Sequence, residues 1–499
     1  YQVTPEGFKK TEKISEDQAV TVASNKRLDI LIVITLMIAI AVTYINKPMP
    51  NKAAKTMVTK TSARNNSIAV LPFDDNSPGK DQAWFTDGMT EALIAELSKI
   101  SSLIVPSHQS VKKYKGTTKT LPEIAMELNV GSVIVGTASK VNDSIRIRAQ
   151  LLSANDKPLW GESYDEGFEH ALQLQHNIAR AITKEINIVL TPADSARFTM
   201  PARVNPEALE ADLKGIQILM ESQEINQTKA GVAYLKRAIE LDSTYALAYA
   251  HLALAYTDYS YYCENTPLES FYLMETPNNR ALQLDPQLAL AYLNRFYQLY
   301  FIKWEWEEAL QVLSKAESLS KNDPIVLVNL VYYYITSGKF KKAFDTVERI
   351  HQIEPEGYSY FGFKVMTQFH SRDFEGVLKT AQEGLNLFPR AGLMLELQMW
   401  SFSILGRHDE AVEVARKILT NDQDLNPIRH GEIGAIFARA GLKQEALKQL
   451  EIIQGLKLNY IDPVSLGLLY MGLGDLDMAM EYFEKGYEIH AGWMPFLKR

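Results

Sequence analysis

The sequence predicts a small α/β domain followed by an all-α solenoid of paired helices, with one transmembrane helix near the N-terminus. Three observations carry this expectation: an uncharged apolar run from Ile30 to Ile45, strand-like and amphipathic segments alternating over residues 67–192, and a small-residue motif that returns at a constant interval from about residue 205 onward. Length agrees, because 499 residues are about three times the roughly 150 of an ordinary domain.

Taken in order, residues 1–27 read as a juxtamembrane segment and 28–45 as the membrane span, with the lipid bilayer as its partner. The span is short but sufficient, since a hydrocarbon core needs about 20 residues in a helix. Lys26, Arg27 and Asp29 on one side, and Tyr44 and Lys47 on the other, suit the two interfaces. Basic residues balance across the run, so charge does not choose an orientation. Residues 46–66 are polar, basic and poor in aromatics, the composition of a flexible tether. The chain opens on Tyr1 rather than Met and so reads as a piece of a longer product.

In residues 67–192, Ser67–Phe73 is a buried-strand pattern ended by a turn-rich stretch. Phe85–Ile100 then carries apolar residues at helical spacing. Leu103–Val105 reads as a second short strand, Leu121–Leu128 as a helix and Gly131–Ser139 as a third strand. Ser144–Leu152 alternates Ile145, Ile147, Ala149 and Leu151, as a half-buried antiparallel strand must. Leu159–Tyr164 returns as its hairpin partner, and a helix over His170–Ile188 closes the unit. Asp74, Asp75, Asp81 and Asp87 offer oxygens to a hard cation; the same residues are turn formers, and Thr86 or Asp87 suits a helix start.

Four blocks of this stretch, Ile68–Phe73, Phe85–Leu93, Ser132–Ser139 and Ile147–Leu151, resemble the TolB amino-terminal-like, or FlgO-like, domain of bacterial envelope proteins. The resemblance implies an assembly or interaction module without catalytic residues.

Over residues 205–499 the anchors Ala309, Ala343, Val377, Ala411, Ala446 and Ala479 follow one another at steps of 34, 34, 34, 35 and 33 residues. Gly338, Gly406, Gly441 and Gly474 precede four of them at matching distance. This is the period of a helix–turn–helix repeat, and it predicts about eight helix pairs. The last repeat resembles the tetratricopeptide pattern at Leu466, Gly467, Tyr470, Gly474, Ala479, Phe483 and Gly486. Pro277 is expected to interrupt a second helix. Arg295 and Lys364 stand where the pattern has leucine, Cys263–Leu268 looks inserted, and the superhelix is expected to be irregular there.

Such a solenoid presents a concave groove lined by the first helix of each pair, suited to a peptide or a partner helix. Helical geometry assigns Leu247, Ala250, Leu254, Val328, Tyr332, Leu393, Trp400, Ala435 and Leu468 to that groove, a mostly apolar set. The tyrosines at 256, 259, 261, 262, 297, 300 and 332–334 form either a ligand platform or core, and helical spacing favours core.

Chemistry has no visible seat. The sequence lacks a phosphate-cradling Gly-rich loop with Lys, a Ser elbow, paired Cys motifs and a His-Glu helix motif; Cys263 stands alone, and nine histidines, His351, His370, His408 and His430 among them, show no metal spacing. No catalytic residue, cofactor or metal is therefore expected. A net charge of −8 gives no basic field for phosphates, which argues against nucleic acid as a partner of this region.

The whole arrangement resembles a bacterial inner-membrane family in which the same C-terminal region also follows class III adenylate cyclase domains or the winged-helix domain of CadC-like regulators. Residues Val3–Lys10 are similar to the cytoplasmic segment of its effector-less branch. The resemblance implies a periplasmic C-terminal region and a non-catalytic scaffold or adaptor; the alternative is the sensor half of a signalling protein whose output domain lies before Tyr1.

Overall fold

The computed structural model describes residues 2–4, 7–9, 64–142, 144–188, 190–191, 194–195, 204–221, 225–262, 264–421, 426–492 and 494–496. The chain divides into two units, Tyr1–Ser62 and Ala63–Arg499. In the first, strands β1 (Gln2–Thr4) and β2 (Gly7–Lys9) form an antiparallel hairpin. The span expected at 28–45 and its tether lie outside the described residues; among the described ones, no helix is long and apolar enough to cross a membrane.

The second unit opens on a sheet ordered β3 (Arg64–Val70), β5 (Val130–Val141), β6 (Ser144–Ser153) and β7 (Pro158–Gly167). β3 runs parallel to β5, and the β5–β6 and β6–β7 pairs are antiparallel. In β3, Ile68, Ala69 and Val70 are all buried, as both faces of a covered strand demand. In β6, Ile145, Ile147, Ala149 and Leu151 point into the core while the residues between them face solvent. Helix α1 (Ala83–Ser98) and α4 (Ala171–Glu185) close over the buried face, where Phe85 and Phe168 meet edge to face at 5.9 Å. Between them lie the short α2 (His108–Lys112) and α3 (Leu121–Glu127).

Three expectations change here. Leu103–Val105 is no strand; a single parallel bridge joins Ile104 to Ser67 before Pro106, which has no N–H to extend a ladder. The turn-rich stretch after Phe73 contains a two-residue strand, β4 (Asp74–Asp75), paired with Thr137 and Ala138 of β5. α1 begins at Ala83, so Thr86 and Asp87 lie within it rather than capping it.

Eight helix pairs follow among the described residues: α5 (Pro206–Glu221) with α6 (Ile225–Leu241), and α7 (Ala246–Ala255), extended by α8 (Thr257–Tyr261), with α9 (Pro267–Leu284). Next come α10 (Ala289–Tyr297) with α11 (Trp306–Leu319), α12 (Pro324–Thr336) with α13 (Phe340–Ile353), and α14 (Tyr358–His370) with α15 (Phe374–Leu387). The last three are α16 (Gly392–Ile404) with α17 (His408–Asn421), α18 (Pro427–Arg439) with α19 (Lys443–Gly455), and α20 (Pro463–Leu473) with α21 (Leu476–Glu488). Helix α9 runs unbroken through Pro277. The proline is buried, and the side-chain amide of the next residue, Asn278, donates to the Ala291 carbonyl at 3.0 Å, tying the helix to α10 at that point. Irregularity appears instead just after Arg295, in a π-type turn (Gln298–Lys303) that continues α10.

The recurring alanines and Val377 are buried in the first turns of the second helices. The preceding glycines, Gly338, Gly406, Gly441 and Gly474, have φ between +69° and +82°. Each reversal is closed by a backbone bond five residues back, such as Lys339 N–H to Tyr334 O at 2.8 Å. Trp304 and Arg372 fill the equivalent position without being glycine, at φ +61° and +66°. Left-handed backbone costs an L-residue about 1–2 kcal/mol. Arg372→Gly is therefore expected to raise stability by about 0.5–1 kcal/mol after glycine's extra chain entropy is subtracted, read as a higher Tm by circular dichroism.

The α/β layer and the repeats share one core. The cluster that includes Ile68, Phe85 and Ile178 continues through Val204, Ala208, Leu209, Ala238, Tyr245 and Ala248. Gly88 of α1 touches α5 so closely that a Cβ there would lie 2.7 Å from the Leu213 side chain. At the same junction the fully buried Asp212 accepts from the Tyr245 hydroxyl at 3.0 Å and lies 2.9 Å from His251 Nδ1. Burial opposes a charge on His251, but the Asp212 carboxylate outweighs it and raises the imidazole above its ordinary pKa. Farther along, Glu354 accepts from Ser107 N–H at 2.8 Å and the Asn322 amide donates to the Ser101 and Leu103 carbonyls.

Candidate functional site

The concave face is built from the first helix of each pair, and several of those helices, α7, α12, α16 and α20, are apolar almost all round because they contact their own partner helices and their neighbours. Their exposed stripe is consequently narrow. Of the nine residues assigned to the groove from sequence, Ala250 and Ala435 are fully buried between helices and offer nothing to a partner. Asn294 donates to the Ala250 carbonyl at 2.8 Å, and a Cβ on Gly472 would lie 2.8 Å from Ala435 Cα, so both positions are helix-crossing points. Leu254 is exposed, while Leu247, Val328, Tyr332, Leu393, Trp400 and Leu468 are half-buried. The structure brings Val328, Tyr332, Leu393 and Trp400 onto one cluster spanning the middle repeats; Leu247 instead packs on the α/β core.

Tyr332 is the best-surrounded of these. Phe301 approaches its ring edge-on at 5.6 Å, Phe363 at 5.1 Å and Phe496 at 6.2 Å. Burial among these rings pushes its hydroxyl up to about 12. Phe301, Phe363 and Phe496 escaped the sequence reading. Phe301 is displaced by the π-type turn, and Phe496 lies beyond the last repeat, in a short 3₁₀ turn (Met494–Phe496) where periodicity carries no signal.

The tyrosines mostly serve as core: Tyr256, Tyr300 and Tyr333 are buried, and Tyr300 stacks on Phe296 at 4.9 Å, while Tyr261 is exposed. Of the histidines, His351 lies against Tyr360, His370 against Phe369 and Phe496, and His430 Nδ1 meets Gln449 at 2.7 Å.

A charged cluster that sequence reasoning also missed interrupts the apolar lining. Arg429 Nη1 contacts the Glu396 carboxylate and lies 3.3 Å from that of Glu432, with both carboxylates largely buried. Desolvation raises the Glu432 carboxyl to about 7, although Arg429 pulls the other way.

In the α/β domain, Asp75 accepts from Ser77 N–H at 2.8 Å and Gln82 N–H at 2.7 Å, and Asp87 pairs with Lys115 at 2.7 Å. Burial works against the Asp75 charge, yet these bonds hold it below the usual carboxylate range. The cluster thus fixes a turn and a helix entry. Among the described residues, no group of three His, Cys, Asp or Glu side chains converges as a metal site. A cleft of about 240 Å³ separates the two parts of the unit, lined by Lys112 and Lys113 on one side and Glu354, Glu356 and Tyr358 on the other.

Comparison with known proteins agrees with the repeat architecture. Residues 464–490, the last pair, match the tetratricopeptide repeat family. A Rhizobium meliloti (strain 1021) protein named "Putative adenylate cyclase 3" is 34% identical over 195 residues, which is 39% of this chain and 33% of that protein. The chain thus spans about a third of the length of this curated relative. Among solved structures, a tetratricopeptide repeat protein from Parabacteroides merdae ATCC 43184 superposes with a TM-score of 0.40 at 13% identity, over 54% of this chain and all of that one. The human IFIT1 dimer with m7Gppp-AAAA does so at 0.42 and 14%, over 64% of this chain and 78% of that one. At this level of likeness nothing about what those proteins bind passes to this chain.

The Glu432 geometry makes a prediction. A carboxyl whose pKa is raised by folding keeps its proton while the unfolded chain loses it, so stability falls as pH climbs from about 4.5 to about 7 and then levels off. Glu432→Gln should flatten that part of the stability–pH curve, measured by urea denaturation at stepped pH.

Proposed function

We propose that this chain is a non-catalytic, membrane-anchored scaffold or adaptor that binds a protein partner through the concave face of its repeats and its α/β domain. The observation that carries the reading is the set of half-buried apolar side chains, Val328 and Tyr332 on α12 and Leu393 and Trp400 on α16, presented on one cluster by first helices of a tetratricopeptide-type array with α14 between them. Such arrays recognise extended or helical segments of other proteins, and a cluster spanning several repeats suits a segment laid along the solenoid axis. The resemblance of the sequence of residues 67–192 to TolB-like and FlgO-like domains, and the uncharged apolar run from Ile30 to Ile45, favour anchoring in a bacterial inner membrane with the C-terminal region in the periplasm. The net charge of −8 makes a nucleic acid the poorer partner.

A second reading has its own observation. Likeness to the Rhizobium meliloti protein supports the sensor half of a signalling protein, a cyclase or a transcriptional regulator, with its output domain upstream of Tyr1. The reading frame before Tyr1 separates the two: further apolar spans support the scaffold, and a folded soluble domain supports the sensor.

The scaffold reading is tested with a photoreactive residue in place of Trp400, in the full-length protein in its native membrane. One envelope protein is expected to be captured and identified by mass spectrometry. Intramolecular products alone would remove the groove as a partner surface.

A further inference from the structure

The segment after α21 does not leave the solenoid. His490, in left-handed backbone at φ +55°, turns the chain, and its ring stacks on Trp304 at 4.2 Å and 15° while its Nδ1 meets the Ile302 carbonyl. Ala491 and Met494 are buried, and a Cβ on Gly486 would lie 3.4 Å from Met494 Sδ and 3.3 Å from the Val464 side chain. The following turn delivers Phe496 onto the concave face. There its ring lies 6.5 Å from that of Phe301, 6.2 Å from Tyr332 and 5.4 Å from His370, three rings from three successive first helices. Phe363 backs Tyr332 from the other side.

Two features distinguish Phe496 from a core residue. It remains half-buried, unlike Phe296 or Tyr300 beneath it, which are fully enclosed. Its contacts with Phe301, Tyr332 and His370 are tilted or edge-on, at 5.4 to 6.5 Å, a geometry that any aromatic side chain could reproduce. What keeps it there is also its tether: a side chain ten residues past Gly486 of the last helix has a high effective concentration that a free ligand must overcome.

We propose that the cage formed by Phe301, Tyr332, Phe363 and His370 is a recognition site for an apolar protein segment bearing an aromatic side chain, and that Phe496 occupies it in cis until such a segment displaces it. This rests on the reading of the concave face as a partner surface and adds its specificity and its regulation. The cage offers ring faces and edges, which select an aromatic tip; Met494 and Pro495, which lead into Phe496, are themselves buried apolar residues.

The probe is a fluorescent peptide with the sequence of His490–Phe496, titrated by anisotropy into the full chain. Phe496→Ala is expected to bind it at least about tenfold more tightly than the wild type, because the cis competitor has lost its anchor. Gly486→Val, which crowds Met494 without touching the cage, should give a gain in the same direction. Adding Tyr332→Ala to Phe496→Ala should abolish the gain. Equal affinity for wild type and Phe496→Ala would overturn the proposal, as would no binding to a Phe496→Ala chain whose circular dichroism and Tm match the wild type. A wild-type dimer that becomes monomeric in Phe496→Ala would also overturn it, placing the segment in a second copy instead. The two readings fail separately: a partner captured at position 400 with equal yield from wild type and Phe496→Ala would leave the scaffold standing and remove the cis segment as its regulator.

Discussion

From α10 onward, each of the six helix pairs depends on reversing direction within about three residues, and the reversal depends on one residue in left-handed backbone. That conformation lets the following N–H reach back to a carbonyl of the first helix and brings the second helix down at a fixed angle. The buried residue five positions later, alanine in five pairs and Val377 in the sixth, then seats against the first helix. Spacing, packing distance and groove curvature all descend from this turn. Where glycine is absent, at Trp304 and Arg372, the array retains the turn and bears the strain. At Trp304 the preceding π-type turn also lengthens the closing bond by one residue, from Glu305 N–H to Leu299 O at 2.9 Å.

Much of this was legible in sequence because it is local. Glycine and alanine at a constant interval mark turn and crossing point; the alternation of Ile145, Ile147, Ala149 and Leu151 marks a strand covered on one face. The strand expected at Leu103–Val105 failed because its apolar residues are buried by the surrounding core rather than by a ladder. The break expected at Pro277 failed because packing, including the Asn278 bond to Ala291, outweighs one lost backbone hydrogen bond.

The groove was less legible than the repeats. Helical phase distinguishes one side of a helix from another, but on a first helix nearly every side is covered, so phase alone placed Ala250 and Ala435 among accessible residues. The rings around Tyr332 come together only through the superhelical path, which joins residues as distant as Phe301 and Phe496. Nor does periodicity reveal charge pairing: Glu396, Arg429 and Glu432 meet because two neighbouring first helices set them side by side.

The continuity of the core from Ile68 to Ala248 bears on how such a protein is inherited. A strand layer that completes its interior with Ala208, Leu209 and Tyr245 is not a self-sufficient cassette, and neither is the first helix pair. Recombination that cut between residues 192 and 205 would leave two raw apolar faces. The inheritable piece is therefore the α/β layer together with its first helices, and the bonds from Ser107 to Glu354 and from Asn322 to Ser101 and Leu103 tie the fourth pair to it as well, so that repeats cannot be added or removed before that pair without breaking them.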